Sequence, residues 1–131
     1  MIFVDSGAWY ASLVPGDVNH ARATTWLQAN SSPLLTSDFV IDETLTLLRK
    51  RGYQAAAIAW AEALFAGELA EIVVVSEGDL LAAYRVFKAF DDKAWSFTDC
   101  TSRVLMERLG ISTAFAFDRH FHQFGSFVIV P

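Results

Sequence analysis

Short apolar segments alternate along the chain with longer stretches in which apolar and polar residues repeat at helical spacing. The short segments are rich in Val, Ile and Phe and are predicted as strands, at residues 2–5, 33–36, 71–75, 113–117 and 127–130. The longer stretches are predicted as helices, at about residues 7–14, 17–30, 38–51, 53–66, 77–89 and 97–109. Strands that alternate with helices form a parallel sheet covered on both faces. The pattern therefore predicts an α/β fold, a three-layer sandwich with a central, mostly parallel five-stranded sheet flanked by helices.

Residues that favour helix ends lie at the ends of the predicted helices. Glycines follow three of the helical stretches, at positions 52, 67 and 110, where a left-handed cap is wanted. The segments Ser76–Asp79 and Ser96–Asp99 have the form of capping boxes. No linker, repeat or low-complexity segment interrupts the pattern, so we expect residues 1–131 to form a single domain.

Four acidic residues stand at the ends of predicted strands or at the starts of the helices beside them. They are Asp5, Glu43, Asp99 and Asp118. Ligands of an open α/β sheet bind outside the carboxyl ends of the strands, so we expect these acids to share one crevice. Clustered carboxylates repel one another unless a cation is bound, and oxygen ligands suit Mg²⁺ or Mn²⁺. The pattern predicts a metal-dependent hydrolase.

Each acid also has a simpler structural explanation. Asp99 stands at the third helical position after Ser96, where a carboxylate often does nothing but cap the helix. Asp5 occupies a strand-to-helix turn, where Asp is a common cap. Asp92 precedes Asp99 by seven residues but suits a polar loop equally well, and we place it outside the primary set. The metal prediction depends on the four acids falling together at strand ends.

The sequence lacks the residues that other catalytic mechanisms require. Cys100 is the single cysteine, has no histidine at a recognisable spacing, and is expected in the core. Neither of the glycine-rich phosphate-binding motifs occurs, and Gly7 stands where a haloacid-dehalogenase-like phosphatase has its second acid. Hydrolysis by a metal-activated water needs no side-chain nucleophile, so it fits the residues that are present.

Charge and hydropathy do not exclude a nucleic-acid substrate. The net charge is −5, but setting aside the four proposed ligands leaves 11 of the 15 acids against 10 bases. A bound cation also reverses the local potential. No apolar run reaches the roughly 18 residues of a membrane helix, and no basic leader opens the chain, so a cytoplasmic protein without a membrane partner is expected. The hydrophobic fraction of 53% indicates that some apolar surface meets a partner.

Four short segments resemble the signature segments of the PIN-domain ribonucleases. They are Val4-Asp5-Ser6, Asp42-Glu43-Thr44, Ser96-Phe97-Thr98-Asp99-Cys100 and Phe117-Asp118-Arg119-His120-Phe121. They occur in the family's order and span essentially the full length. Within that family the chain is most similar to the VapC toxins of bacterial toxin–antitoxin pairs.

The resemblance implies a PIN-like fold, an activity and a set of partners. The implied activity is an endoribonuclease that uses Mg²⁺ or Mn²⁺ and leaves a 5′-phosphate and a 3′-hydroxyl. Asp5, Glu43 and Asp99 become the core metal ligands, and Asp118 becomes a fourth acid that binds directly or through water. The implied partners are RNA as substrate, a VapB-like antitoxin and a second copy in a homodimer.

Several neighbours of the acids have candidate supporting roles. Ser6 or Thr98 could hydrogen-bond a ligand carboxylate or a metal-bound water, although capping helices is the commoner role of both. Arg119, His120 and His122 follow the fourth acid in a predicted surface loop, where cations can grip RNA phosphates. The histidines could instead bind metal, but an oxygen-rich site favours Mg²⁺ or Mn²⁺ over zinc. A solvated loop is the simpler alternative.

A second function stays open beside the enzyme. A catalytically silent PIN-like module would hold a protein partner or RNA without cleaving it, although the presence of all four acids favours the enzyme. Amphipathic surfaces that carry Leu80, Tyr84 and Phe87, or Leu45 and Leu48, are available to a partner, but such residues equally suit a core.

Overall fold

A computed structural model describes residues 1–131, the whole chain, and shows a sheet of five strands. The strands are β1 (Ile2–Val4), β2 (Leu34–Ser37), β3 (Glu71–Val73), β4 (Thr113–Phe115) and β5 (Val128–Val130). They lie in the order β3-β2-β1-β4-β5, and every neighbouring pair is parallel. The predicted α/β fold with its five-stranded, mostly parallel sheet is confirmed.

Six α-helices and one 3₁₀ helix connect the strands. The helices are α1 (Ser6–Leu13), α2 (His20–Ala29), α3 (Asp38–Lys50), α4 (Gln54–Phe65), α5 (Glu77–Ala89), α6 (Phe97–Leu109) and the 3₁₀ helix Arg119–Phe124. All six predicted helices are present within a few residues. The largest difference is at α2, which starts three residues late because Asp17 first accepts a hydrogen bond from the backbone of Asn19, at 2.9 Å, in a turn.

The structure of the segment after Asp118 differs from the prediction. A surface loop was expected there, but Arg119–Phe124 form a 3₁₀ helix. Asp118 caps this helix by accepting a hydrogen bond from the backbone N–H of His120 at 2.9 Å. Phe121 and Phe124 are both buried and stand three residues apart, which is the repeat of a 3₁₀ helix. The buried aromatic pair makes this segment a fixed element of the fold.

Helix ends follow the signals in the sequence. All three predicted cap glycines have a positive φ, between 67° and 87°, a conformation that costs glycine little. Both predicted capping boxes form, Ser76 with Asp79 and Ser96 with Asp99. The second box matters for the chemistry described below because it fixes the side chain of Asp99 on the first turn of α6.

The centre of the sheet is the centre of the core. Phe3 and Val4 of β1 and Phe115 of β4 are fully buried. Trp9 of α1 packs against Trp60 of α4 with ring centroids 5.4 Å apart. Burial of such side chains is worth about 2 kcal/mol or more each, so β1 is held firmly between its neighbours. The residue that follows β1 is consequently held in the interior.

The order of strands reverses at β1, which has β2 on one side and β4 on the other. A reversal of this kind opens a crevice outside the carboxyl ends of the strands. Asp5 follows β1, Glu43 lies on the helix that follows β2, and Asp118 lies just after β4. The topology therefore directs these acids to one edge of the sheet.

Two further expectations concern burial and helix length. Cys100 is fully buried, as expected of a core residue. The longest helices have 13 residues, whereas a span of the bilayer needs about 20, and none of the helices could cross a membrane.

Candidate metal centre

Asp5 is the most deeply buried of the four acids, with 3% of its surface exposed. Its backbone N–H donates to the carbonyl of Phe115 on β4 at 3.1 Å. It stands at the N-cap of α1, yet its side chain makes no capping hydrogen bond, so helix capping does not account for it. Its Oδ1 is buried without any hydrogen-bond partner in the protein, which is a costly arrangement. This oxygen points to a ligand from outside the chain.

Burial raises the pKa of Asp5 from its ordinary 3.8 to about 8. The charge of Asp99 raises this pKa further, and the charges of Glu43 and Asp118 add smaller increases, against a backbone hydrogen bond from Ser6 that lowers it. The other three acids therefore act electrostatically on Asp5. A cation among them would relieve both the burial cost and the mutual repulsion.

Asp99 combines a structural role with a place in the cluster. Its Oδ2 accepts a hydrogen bond from the backbone N–H of Ser96 at 3.0 Å, which is half of the capping box. His120 Nδ1 lies 3.0 Å from the same Oδ2. Because both contacts use Oδ2, Oδ1 carries no hydrogen bond from the protein. Capping and metal binding are thus compatible, and the cap sets the orientation of the carboxylate.

Asp118 and His120 complete the tightest part of the cluster. Asp118 Oδ1 lies 3.4 Å from His120 Nδ1, in addition to accepting the backbone hydrogen bond of His120. The potential ligand atoms of Asp99, Asp118 and His120 all lie within 4.8 Å of one another. Ligands at about 2.0–2.3 Å from an ion lie roughly 3 Å apart when adjacent and about 4–4.6 Å apart when opposite. The spacing suits one shared ion with small adjustments.

Glu43 is held in place by Ser6. The Ser6 hydroxyl donates a hydrogen bond to Glu43 Oε1 and is itself buried, whereas Glu43 is half-buried. Glu43 contributes to the raised pKa of Asp5, but neither Glu43 nor Asp5 belongs to the tight group of ligand atoms. The structure thus brings Asp99 and Asp118 closer to one site than the predicted order of ligands implied.

Three of the predicted residues have no hydrogen bond or ion pair with the acids. Asp92 is exposed and lies 3.5 Å from Lys93. The carbonyl of Thr98 accepts a hydrogen bond from the Thr101 hydroxyl at 2.7 Å, and the Thr98 hydroxyl is not bonded to a cluster acid. Arg119 is exposed on the 3₁₀ helix.

The structure separates His120 from His122. The sequence offers both as residues that bind RNA phosphates or metal, but the His120 ring contacts two cluster acids whereas His122 is exposed. The available signal was a histidine two residues after an acid and directly before a phenylalanine. That signal gains meaning only when Phe121 is known to be buried and to hold the turn.

The residues present fit a divalent cation. The donor set is dominated by carboxylate oxygens, which Mg²⁺ and Mn²⁺ favour, and a buried carboxylate oxygen lacks a partner. Asp5, Glu43, Asp99, Asp118 and His120 are the residues that could hold it. A cation bound by such a set can polarise a phosphodiester and activate water.

Comparison with known proteins gives a consistent family assignment. The family model described as PIN domain matches residues 2–126. The chain is 33% identical over 131 residues to the protein named 23S rRNA-specific endonuclease VapC20 of Mycobacterium tuberculosis (strain CDC 1551 / Oshkosh), covering 100% of this chain and 99% of that protein. The protein of the same name from strain ATCC 25618 / H37Rv matches with the same identity and coverage.

One solved structure gives the same assignment, and a second shares the fold. The crystal structure of Mycobacterium tuberculosis VapC20, described as a sarcin-ricin loop cleaving toxin, matches with a TM-score of 0.92 and 32% identity over 100% of both chains. FitAcB from Neisseria gonorrhoeae matches with a TM-score of 0.69 and 15% identity, covering 100% of this chain and 97% of that one. At that identity the second likeness concerns the fold alone.

Proposed function

The chain belongs to the PIN domain family, and we propose that it is a metal-dependent endoribonuclease that serves as the toxin of a VapBC-type toxin–antitoxin pair. One observation carries the catalytic part of this proposal. A buried carboxylate, Asp5, has an oxygen without a partner and a pKa raised to about 8 beside three other acids. Such an arrangement is unfavourable for folding alone and is explained by a cation that the acids bind.

Asp5, Glu43 and Asp99 are the proposed ligands of Mg²⁺ or Mn²⁺, and Asp118 binds the ion directly or orients the attacking water. The bound cation supplies charge neutralisation on the phosphate and lowers the pKa of the attacking water. Ser6 holds Glu43, and the backbone of Ser96 holds Asp99, so these two carboxylates are oriented before substrate arrives. The proposed products carry a 5′-phosphate and a 3′-hydroxyl.

Ribosomal RNA is the proposed substrate class. The relative VapC20 is named as specific for 23S rRNA and described as cleaving the sarcin-ricin loop, and it is 33% identical to this chain over the full length. Arg119 is exposed one residue beyond Asp118, where a guanidinium would reach a phosphate of the bound strand. We assign it a substrate-binding role.

A VapB-like antitoxin is the proposed partner. An apolar groove of about 700 Å³ lies between α3 and α4. Leu45, Ile58 and Phe65 line it, and Phe65 is 65% exposed. Arg49 and Lys50 also line it, against one acid, Glu62, so the groove suits an apolar segment that carries acidic residues. Leu48, the other residue predicted for such a surface, is instead fully buried in the core.

A homodimer through α5 is the proposed assembly. Leu80, Leu81, Tyr84 and Phe87 lie on this helix with 37%, 52%, 51% and 48% of their surface exposed, although they are large and apolar. An antiparallel pairing of two copies of α5 would place the acidic first turn of each helix against the basic last turn of the other. We further propose that residues 1–131 fold as one domain and that the protein works in the cytoplasm.

The catalytic proposal is tested with purified protein and 23S rRNA, followed by a mixed RNA pool. Wild type should cleave RNA only when Mg²⁺ or Mn²⁺ is added. Asp5→Asn and Asp99→Asn should each lower the cleavage rate by at least about a hundredfold, because each removes a charged ligand. Circular dichroism should show that both variants remain folded.

Asp42→Asn is the matched control, since Asp42 is an exposed acid directly beside Glu43. It should cleave RNA at the wild-type rate. Equal cleavage by wild type, Asp5→Asn and Asp99→Asn would refute the assignment. Binding of RNA with no cleavage by wild type at any metal concentration would instead favour the catalytically silent module.

A further inference from the structure

We propose that His120 is a direct ligand of the metal through Nδ1, and that this nitrogen makes the site prefer Mn²⁺ to Mg²⁺. The inference rests on the proposed metal-dependent function and adds a nitrogen to a site otherwise built from carboxylates. It concerns a residue that the four predicted acids do not include.

The position of Nδ1 carries the proposal. It lies 3.0 Å from Asp99 Oδ2 and 3.4 Å from Asp118 Oδ1. Adjacent ligands around a divalent ion are about 3 Å apart, so Nδ1 needs only a small movement to share an ion with both carboxylates, the ion replacing its present contact with Asp99 Oδ2. This nitrogen therefore faces two carboxylates of the cluster.

The ring is held in this position by the fold. The His120 backbone N–H donates to Asp118 at 2.9 Å, and the next residue, Phe121, is fully buried. The His120 side chain is only 18% exposed. A ligand that is already immobilised loses little conformational entropy when the ion binds.

Asp5 gives an independent indication that a cation belongs here. Its buried Oδ1 has no hydrogen-bond partner, whereas Asp99 Oδ2 accepts from the backbone of Ser96 and lies 3.0 Å from His120 Nδ1. One imidazole hydrogen cannot serve every carboxylate in the cluster. An ion between these groups would replace the Nδ1 hydrogen bond and serve several carboxylates at once, with the Nδ1 lone pair facing it and the ring hydrogen on Nε2.

The nitrogen ligand has a consequence for metal choice. Mg²⁺ prefers all-oxygen coordination and keeps several waters, whereas imidazole suits transition metals and the oxygen-rich remainder of the site suits Mn²⁺. Replacing His120 should therefore weaken Mn²⁺ binding more than Mg²⁺ binding. A histidine that only oriented Asp99 would affect both ions alike.

The experiment is pulsed electron paramagnetic resonance on the full chain loaded with Mn²⁺ below one equivalent. The electron spin-echo envelope modulation of wild type should contain the ¹⁴N couplings of a coordinated imidazole. His120→Asn should lose these couplings, bind Mn²⁺ at least about tenfold more weakly, and change its Mg²⁺ affinity by less. His122→Asn is the matched control on the same 3₁₀ helix and should behave like wild type.

Each other outcome overturns the inference. Bound Mn²⁺ without ¹⁴N couplings in wild type refutes it even if the variants misfold, and so do couplings that persist in His120→Asn. If Asp5→Asn still abolishes Mn²⁺ binding and RNA cleavage in those cases, the proposed function stands without the nitrogen ligand. If wild type binds no Mn²⁺ and cleaves no RNA with either ion, both proposals fail together.

Discussion

At the residue scale, the defining group of this protein is a carboxylate held where its charge is unfavourable. Asp5 is buried at the end of the central strand, and the charges of Asp99, Glu43 and Asp118 act on it. Any fold-stabilising role would require a partner for its Oδ1, and the protein provides none. The residue therefore costs stability unless a ligand compensates, which is a common exchange at functional sites.

This cost predicts an unusual dependence of stability on pH for metal-free wild type. The pKa of Asp5 is 3.8 when unfolded and about 8 when folded, so between these values the unfolded chain is ionised while the folded chain keeps its proton. Asp5 therefore does not lower the free energy of unfolding below pH 3.8. Its unfavourable effect on that free energy grows as pH rises from 3.8 through about 8. The slope attributable to Asp5 approaches about 1.4 kcal/mol per pH unit.

Urea unfolding in the presence of EDTA, repeated from pH 5 to pH 9, measures this slope. The test quantity is the difference between wild type and Asp5→Asn, because other groups contribute to both. Asp5→Asn should be relatively more stable as pH rises, whereas Asp42→Asn should keep the wild-type profile. Parallel profiles for wild type and Asp5→Asn would show that the carboxylate ionises freely in the folded protein.

At the scale of elements, α6 is held by side-chain hydrogen bonds near both of its ends, and its first turn carries a cluster acid. Its first turn holds Asp99 in the capping box with Ser96. Near its other end, Arg108 donates two hydrogen bonds to Asp79 of α5, from Nε at 2.7 Å and from Nη2 at 2.8 Å. These bonds hold the pKa of Asp79 below its ordinary value, against the opposing effect of burial.

Asp79→Ala should lower the free energy of unfolding by about 2–3 kcal/mol at neutral pH. The change removes the acceptor of the Arg108 pair and one half of the α5 capping box. Because the pKa of Asp79 is lowered on folding, this contribution is present above the unfolded pKa of 3.8 and is lost as pH falls through the folded value. The difference from wild type should therefore shrink in acid.

Chemical denaturation at pH 7 and at pH 3 measures both effects. Glu107→Gln is a suitable control because it breaks an exposed ion pair with Arg103 on the same helix, and it should cost at most about 0.5 kcal/mol. A loss of the same size from Asp79→Ala would mean that the α5–α6 pair contributes no more than an ordinary surface pair.

The elements that sequence predicts well are those with local signals. The strands are short, apolar and separated by helical stretches, and the capping boxes of α5 and α6 are encoded within four residues each. The 3₁₀ helix has no such signal. It depends on the burial of Phe121 and Phe124 against the rest of the core, which is a tertiary effect that periodicity in a six-residue segment does not reveal.

The candidate site likewise has some features that follow from the sequence pattern and others that depend on tertiary packing. Parallel topology places residues after β1 and β4 at one edge, so the convergence of Asp5 and Asp118 follows from the pattern of elements. Which atoms lie closest does not follow. The grouping of His120 with Asp99 and Asp118 depends on the turn that the buried phenylalanines fix, and the orientation of Glu43 depends on Ser6, from a distant part of the chain.

At the scale of the whole molecule, the exposed apolar face of α5 predicts self-association. Size-exclusion chromatography with light scattering should give the mass of a dimer at micromolar concentration. Leu81→Glu should shift the protein to the monomer, because Leu81 is 52% exposed on that face and a buried, unpaired charge there would be costly.

Val18→Glu is the control for this substitution, since Val18 is 92% exposed but lies outside α5. It should leave the dimer intact. A monomeric wild type would contradict the proposed assembly, and a dimer that survives Leu81→Glu would place the interface on another face. Neither result would bear on the metal centre, which is formed within one chain.

The acids of the cluster are spread from residue 5 to residue 118, and the last of them follows β4, the fourth of the five strands in chain order. A nascent polypeptide therefore holds Asp5 long before the strand and the acid that complete the crevice around it have been made. The acid cluster therefore stays incomplete during synthesis until residue 118 has been joined. If ribosomal RNA is the target, as proposed, the growing chain lacks its full set of acids while those first 118 residues are being made.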